Sequence, residues 1–189
     1  PGKLYLSHDQ TIEGDTWDWT EAEKRFTQLT EQGKRNILGI SGQLWTETVK
    51  SPEMLEYYLL PKMLGYVERA WGGDPDWSNP SNIKEMKSQR AAEWNQFSNL
   101  VSKVEFPRLE VIFGGFNFRL PKPGVTIKDG RVLVNSELPG LLIRYTDNGT
   151  EPNETSSVYR EPIPYFNGFS PKFKLFMPSG KSGREATLD

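Results

Sequence analysis

The sequence predicts a mixed α+β chain made of two unlike parts, and three observations carry that expectation. Through residues 1–80, short apolar runs alternate with longer amphipathic stretches, the strand–helix logic of a parallel sheet or barrel. From Gly114 onward, β-branched and aromatic runs are separated by Pro-Gly, Asp-Gly and Asn-Gly signals, a spacing typical of an all-β sandwich. Between the two, Ile83, Met86, Trp94, Phe97, Val101 and Val104 recur at helical spacing and give one long helix an apolar face.

Taken in order, residues 3–7 form a short strand candidate with Leu4 and Leu6 on one face and Tyr5 on the other. Residues 9–18 are polar and read as a loop. Thr20 can cap a helix over residues 20–32, whose first turn carries Glu21 and Glu23, favourable against the helix dipole. Residues 37–45 are nearly continuous in apolar character, which predicts a second strand buried on both faces. Ser51 as N-cap with Pro52 at the first helical position is a local start signal. The helix that follows presents Met54, Leu55, Tyr58, Leu59, Met63, Leu64 and Val67, is expected to kink at Pro61, and stops at Gly72-Gly73. A third helix fits residues 82–104, and residues 106–113 can add a short helical turn. A domain boundary falls near residue 114, leaving residues 81–113 as linking helices and 114–189 as the β module, closed by a hairpin within residues 171–189.

Composition narrows the function. The chain has 189 residues and a formal net charge of −2, with Lys and Arg spread along it, so it lacks the clustered basic footprint of a nucleic-acid binder. No apolar run approaches the roughly 18 residues of a membrane span. Pro1-Gly2-Lys3 does not resemble a signal peptide. There is no cysteine, which excludes disulfides, thiolate metal sites and a cysteine nucleophile. His8 is the single histidine, and no Gly-x-Ser-x-Gly elbow stands ready to meet it in a triad; a histidine-based zinc site is equally disfavoured. Six Trp, seven Tyr and ten Phe remain, a wealth that suits sugar-stacking surfaces and packed cores alike.

The stretch Trp45-Thr46-Glu47 is the sharpest motif. It stands at the C-terminal end of the predicted second strand, where a barrel places its chemistry. Residues two apart on a strand share a face, so an indole wall and a carboxylate acceptor can point into one pocket. By spacing alone, a core tryptophan followed by a helix-proximal acid fits better. Trp17 and Trp19 in a polar loop either pack against a helix or bind something. Asp74, Asp76 and Trp77 read as a turn. Asn148-Gly149-Thr150 and Asn153-Glu154-Thr155 fit the glycosylation sequon, with meaning only in a source that glycosylates secreted chains.

Residues 37–71 carry a longer pattern: a Gly-rich strand, then Leu44-Trp45-Thr46-Glu47, then a helix with Pro61-Lys62 that ends Glu68-Arg69-Ala70-Trp71. This order resembles the end of the catalytic barrel in glycoside hydrolase family 20, the β-N-acetylhexosaminidases and chitobiases. The runs AEWNQFSNL, FRLPKPG and LPGLLIRYTDNGTEP resemble the chitobiase-type C-terminal module, an immunoglobulin-like sandwich. The resemblance implies the last two βα units of a (β/α)8 barrel followed by that sandwich.

It also implies roles. Trp45 would form part of the wall around the non-reducing sugar, and Glu47 would bind its hydroxyls. Residues 3–7 resemble the penultimate barrel strand, whose tyrosine is matched by Tyr5; that side chain would hydrogen-bond the substrate acetamido oxygen. Ser7 stands where the family has Asp, and Asp9 is the nearest substitute. Trp17 or Trp19 would be a platform for the next sugar. The family mechanism is substrate-assisted retention, outside the two-carboxylate scheme. Its Asp-Glu pair is missing from these residues, so the piece alone is expected to be inactive. The resemblance favours a secreted or periplasmic setting and a glycan substrate in the intact enzyme, with no cofactor and no metal. Barrel edges cut from their neighbours are expected to promote self-association. The competing expectation is a non-catalytic carbohydrate-binding or structural spacer module, although the lack of any tryptophan after Trp94 speaks against sugar binding by the sandwich.

Overall fold

The computed structural model describes residues 29–73 and 83–188 of the chain. The expected strand at 3–7, the 9–18 loop, nearly all of the 20–32 helix and the Asp74–Trp77 turn lie outside those residues. Within them the molecule is mixed helix and sheet, and all strand pairs are antiparallel.

Helix α1, Glu31–Arg35, is capped by Thr30, whose Oγ1 accepts from the Gly33 N–H at 3.0 Å. Residues 37–46 then run without regular structure. The expected buried strand is therefore corrected. Ile37, Leu38 and Ile40 are exposed, Leu38 fully so at 101%. A parallel strand is made by its neighbours, and among the described residues none pairs with this stretch, so its apolar residues are left exposed.

Helix α2, Pro52–Leu59, starts as the sequence dictates: the Ser51 hydroxyl accepts from the Met54 N–H at 3.3 Å, and Pro52 occupies the first turn. The expected kink at Pro61 is a full break. Leu60 is extended, and a new helix α3, Lys62–Trp71, begins after the proline. Lacking an N–H, Pro61 cannot continue the ladder of α2, while it is well suited to precede a new first turn.

Helix α4, Ile83–Leu100, runs into a π-helical segment, Val101–Glu105, and then α5, Phe106–Leu109. Pro107 lies in the first turn of α5, just past the π segment. It has no N–H for the carbonyl four residues back, and the wider turn before it absorbs that mismatch. Ser98 and Ser102 hydroxyls donate to the Asn95 and Ser98 carbonyls at 3.0 and 2.7 Å, so both serines are satisfied within the helix. A 3-10 turn, Ile112–Gly114, completes the helical part, as expected for residues 106–113.

The remainder is two antiparallel sheets. Strands β1, Gly124–Lys128; β2, Arg131–Asn135; and β5, Ile163–Pro164, form one, in the order β1-β2-β5. Strands β3, Leu142–Thr146; β4, Ser157–Val158; β6, Lys172–Phe176; and β7, Ala186–Thr187, form the other, in the order β4-β3-β6-β7. The Asp-Gly signal is a tight hairpin: Lys128 pairs with Arg131, and Asp129 and Gly130 between them have φ of 51° and 70°. Two positive φ values give the twist that matches the strands, which is why Asp-Gly serves here. The hairpin expected near the C-terminus is β6 with β7, Phe173 opposite Ala186.

Two cores hold this together. The first lies between the sheets: Val132 and Phe173 are fully buried, with Val125, Val134, Ile143, Tyr145, Tyr159 and Ile163 around them from both layers. Tyr145 stacks on Phe173 at 5.8 Å and Tyr159 meets it edge-on at 6.0 Å, favourable geometries for ring pairs. The second core joins helices to sheets. Phe97, Val101, Phe106 and Leu109 pack with Phe118, Leu120, Leu138 and Met177, and Leu60 and Leu64 from the α2–α3 pair lean on the same cluster. Phe106 stacks on Phe118 at 4.9 Å. Fully burying a side chain of this size contributes about 1.5–3 kcal/mol by area, so this second core is the principal tie between helices and sheets.

Candidate functional site

The stretch around Trp45 is set by the helices that flank it. Upstream, the Tyr66 hydroxyl of α3 donates to the Ile40 carbonyl. Gly42 lies directly against the Tyr66 ring, where a Cβ would come within 3.0 Å of Cε2. Glycine at 42 thus lets this loop pack closely on α3, where a larger residue would push the Tyr66 ring aside by a few tenths of an ångström. Downstream, the Val49 N–H donates to the Thr46 carbonyl at 3.0 Å and closes a turn that hands the chain to the Ser51 cap.

Trp45 and Glu47 stand between these two anchors and both face solvent, with Trp45 76% exposed. Of the two readings open to the triplet, the core tryptophan is not what the described residues form. An uncovered indole offers a flat apolar wall, and a solvated carboxylate accepts hydrogen bonds from hydroxyl groups. Close by, the Ser51 hydroxyl and then Glu53's own N–H hold the Glu53 carboxyl below its ordinary range, so the first turn of α2 keeps its negative charge near the helix N-terminus. Trp71, at the end of α3, is also exposed.

Tyr5, Ser7, Asp9, Trp17 and Trp19 lie outside the described residues, so Trp45 and Glu47 are the expected site residues that can be placed. Among the described residues, no group of three or more His, Asp or Glu side chains is arranged to hold a metal ion, and no helix is long and apolar enough to cross a membrane. Both expected sequons form local turns: Asn148 Oδ1 accepts from the Thr150 N–H at 3.1 Å, and Asn153 Oδ1 from the Thr155 N–H at 2.9 Å. Two residues that sequence reasoning missed are Glu56 and Asn117. The Asn117 N–H donates to Glu56 Oε2 at 2.7 Å and its side-chain amide to the Glu53 carbonyl at 3.0 Å. Their separation along the chain is 61 residues, and no local pattern announces such a contact.

Comparison with known proteins defines the class first. Residues 5–74 match the glycosyl hydrolase family 20 catalytic domain, and residues 105–167 match the chitobiase/beta-hexosaminidase C-terminal domain. The two matches follow in the order that the residue patterns imply. Among individual proteins, the chain is 31% identical over 152 residues to the N,N'-diacetylchitobiase of Vibrio harveyi, covering 71% of this chain and 17% of that protein. It is 27% identical over 150 residues to the Beta-hexosaminidase of Vibrio vulnificus, covering 70% of this chain and 17% of that protein. A shorter match of 71 residues at 31% identity is to the Beta-hexosaminidase B of Pseudoalteromonas piscicida, with 31% of this chain and 9% of that protein covered. The resemblance to chitobiases and β-hexosaminidases therefore holds, and the chain spans less than a fifth of the length of these curated relatives.

Proposed function

We propose that this chain is the C-terminal part of a β-N-acetylhexosaminidase that removes terminal N-acetylhexosamine from glycans or chitooligosaccharides. The observation that carries the reading is the ordered pair of family matches, catalytic domain over residues 5–74 and C-terminal domain over residues 105–167. In this reading residues 1–80 are the last two βα units of a (β/α)8 barrel, residues 81–113 are linking helices and residues 114–189 are an immunoglobulin-like module. The two antiparallel sheets with a shared core support the last of these assignments.

The chemistry follows the substrate-assisted route. The substrate's own acetamido oxygen attacks the anomeric carbon, an Asp-Glu pair orients the acetamide and protonates the leaving group, and water then opens the cyclic intermediate. Tyr5 hydrogen-bonds the acetamido oxygen. Trp45 walls the non-reducing sugar and Glu47 accepts from its hydroxyls; Trp17 or Trp19 receives the next sugar. No Asp-Glu pair occurs in these 189 residues, so the chain by itself supplies substrate contacts and does not turn over. The exposed apolar residues of 37–45 support a further expectation, that the isolated chain self-associates.

Hydrolysis of a p-nitrophenyl N-acetylglucosaminide tests the assignment. The 189-residue chain releases no nitrophenol above buffer, whereas the longer enzyme that includes it does. In that enzyme Glu47→Gln lowers kcat/KM by about 10-fold or more, chiefly through KM, as expected for lost hydroxyl contacts. Turnover by the chain alone, or an unchanged KM in Glu47→Gln, overturns the respective assignment.

A further inference from the structure

The C-terminal module touches α2 and α3 at several independent points. Asn117, in the segment leading to β1, donates its backbone N–H to Glu56 Oε2 at 2.7 Å and its side-chain amide to the Glu53 carbonyl at 3.0 Å. Two residues on, the Arg119 N–H donates to the Leu60 carbonyl at 3.1 Å, at the break between the two helices. The Tyr57 ring receives the guanidinium groups of Arg119 and Arg184, each 5.7 Å from its centroid, one from before β1 and one from just before β7. Leu60 and Leu64 enter the core built on Phe106 and Phe118.

The same helices hold the loop that carries Trp45 and Glu47. Tyr66 ties Ile40 to α3, Gly42 packs on its ring, and the 46–49 turn leads straight into the Ser51 cap of α2. Within this chain the loop is tied to α3 through Tyr66 and runs directly into α2, and α2 is tied to the module through Asn117 and Arg119.

We propose that the sheet module is a buttress for the sugar-binding loop, with Glu56 and Asn117 as positioning residues that fix α2 and, through it, Trp45 and Glu47. The role of the module in catalysis is then mechanical: it sets where the wall and the hydroxyl acceptor stand and need not touch sugar itself. This inference rests on the assignment of Trp45 and Glu47 to a sugar subsite, but its structural half does not. A carboxylate accepting a backbone N–H is a strong, directional tie, and Gln at 56 keeps an acceptor oxygen in place where Ala removes it.

Two measurements separate the two halves. Amide hydrogen exchange on the 189-residue chain compares wild type with Glu56→Ala, Glu56→Gln and Asn117→Ala. In Glu56→Ala and Asn117→Ala, exchange speeds up at the hydrogen-bonded amides of α2, at Leu60 and at Arg119, roughly 10-fold or more, while β2, β3 and β6 keep their protection; Glu56→Gln stays near wild type. Exchange unchanged across α2 in both alanine variants, or raised equally through the sheets, overturns the buttress. In the longer enzyme, Glu56→Ala raises KM for the nitrophenyl substrate about 5-fold with kcat within about 2-fold, and Glu56→Gln restores KM. A proportional loss of both constants with no rescue by Gln assigns Glu56 to general stability and removes it as a positioning residue. If the longer enzyme hydrolyses no hexosaminide, the glycosidase reading fails while the exchange result still decides the buttress.

Discussion

Lys174 and Glu151 meet at 2.7 Å on the outer side of the β3–β6 pair, the Lys174 side chain 10% exposed and the Glu151 side chain 67%. A nearly buried ammonium demands a partner, the more so because the like charge of Arg144 sits directly across the strand from Lys174. Phe176 shares the load, with Arg144 and Lys174 at 6.0 and 5.9 Å from its ring centroid. The Lys174 hydrogen bond, then its charge, hold the Glu151 carboxyl below its ordinary range. A carboxyl whose folded pKa is depressed contributes stability that is present above its unfolded pKa and is lost as pH falls through the folded one. Glu151→Gln is therefore expected to melt lower than wild type near pH 7, with the gap closing as both are titrated below about pH 4. Thermal melts of the two proteins across that range check it, and a gap that does not narrow on acidification is the contrary result.

Among the elements, α2 depends most visibly on one side chain. Its first turn relies on the Ser51 hydroxyl, and Ser51→Ala should cost about 1 kcal/mol, read as a lowered urea midpoint, with Ser51→Asp keeping most of the stability. That cap was legible because Ser-Pro acts within one turn of chain. Asp129-Gly130 was legible for the same reason: the φ values it must adopt are a property of the residues themselves. The helix at 82–104 followed from spacing, although the π segment before Pro107 did not, since widening is one of several ways to absorb a proline. The apolar run at 37–45 has a strand's composition and forms none, because a strand is defined by hydrogen bonds to something else. In the same way, Trp45 and Glu47 could be picked from a motif, while the Glu56–Asn117 tie that anchors their neighbourhood links positions with no local signature.

At the scale of the molecule, apolar surface is distributed unevenly. Ile37, Leu38, Ile40, Leu44 and Trp45 are exposed on one continuous stretch, with Met63, Val67 and Trp71 exposed on α3, while Phe106, Phe118, Phe173 and Leu175 are sealed inside. Self-association through the open stretch predicts that the 21.6 kDa chain elutes as a dimer or larger on size exclusion at micromolar concentration, and that Leu38→Asp with Leu44→Lys moves it toward monomer. A wild-type monomer at all concentrations would count against it. The helix–sheet core has a separate consequence for inheritance. The family boundaries 105–167 enclose Phe106 and Phe118 but leave out Phe97 and Val101 on one side and Phe169, Phe173 and Met177 on the other. A gene segment exchanged at those boundaries would arrive without three of the eight buried residues of the helix–sheet core and two of the three of the core between the sheets. A larger unit, from the start of α4 to the end of β7, holds every buried member of both clusters, so recombination that respects folding must carry the long helix along with the sheets.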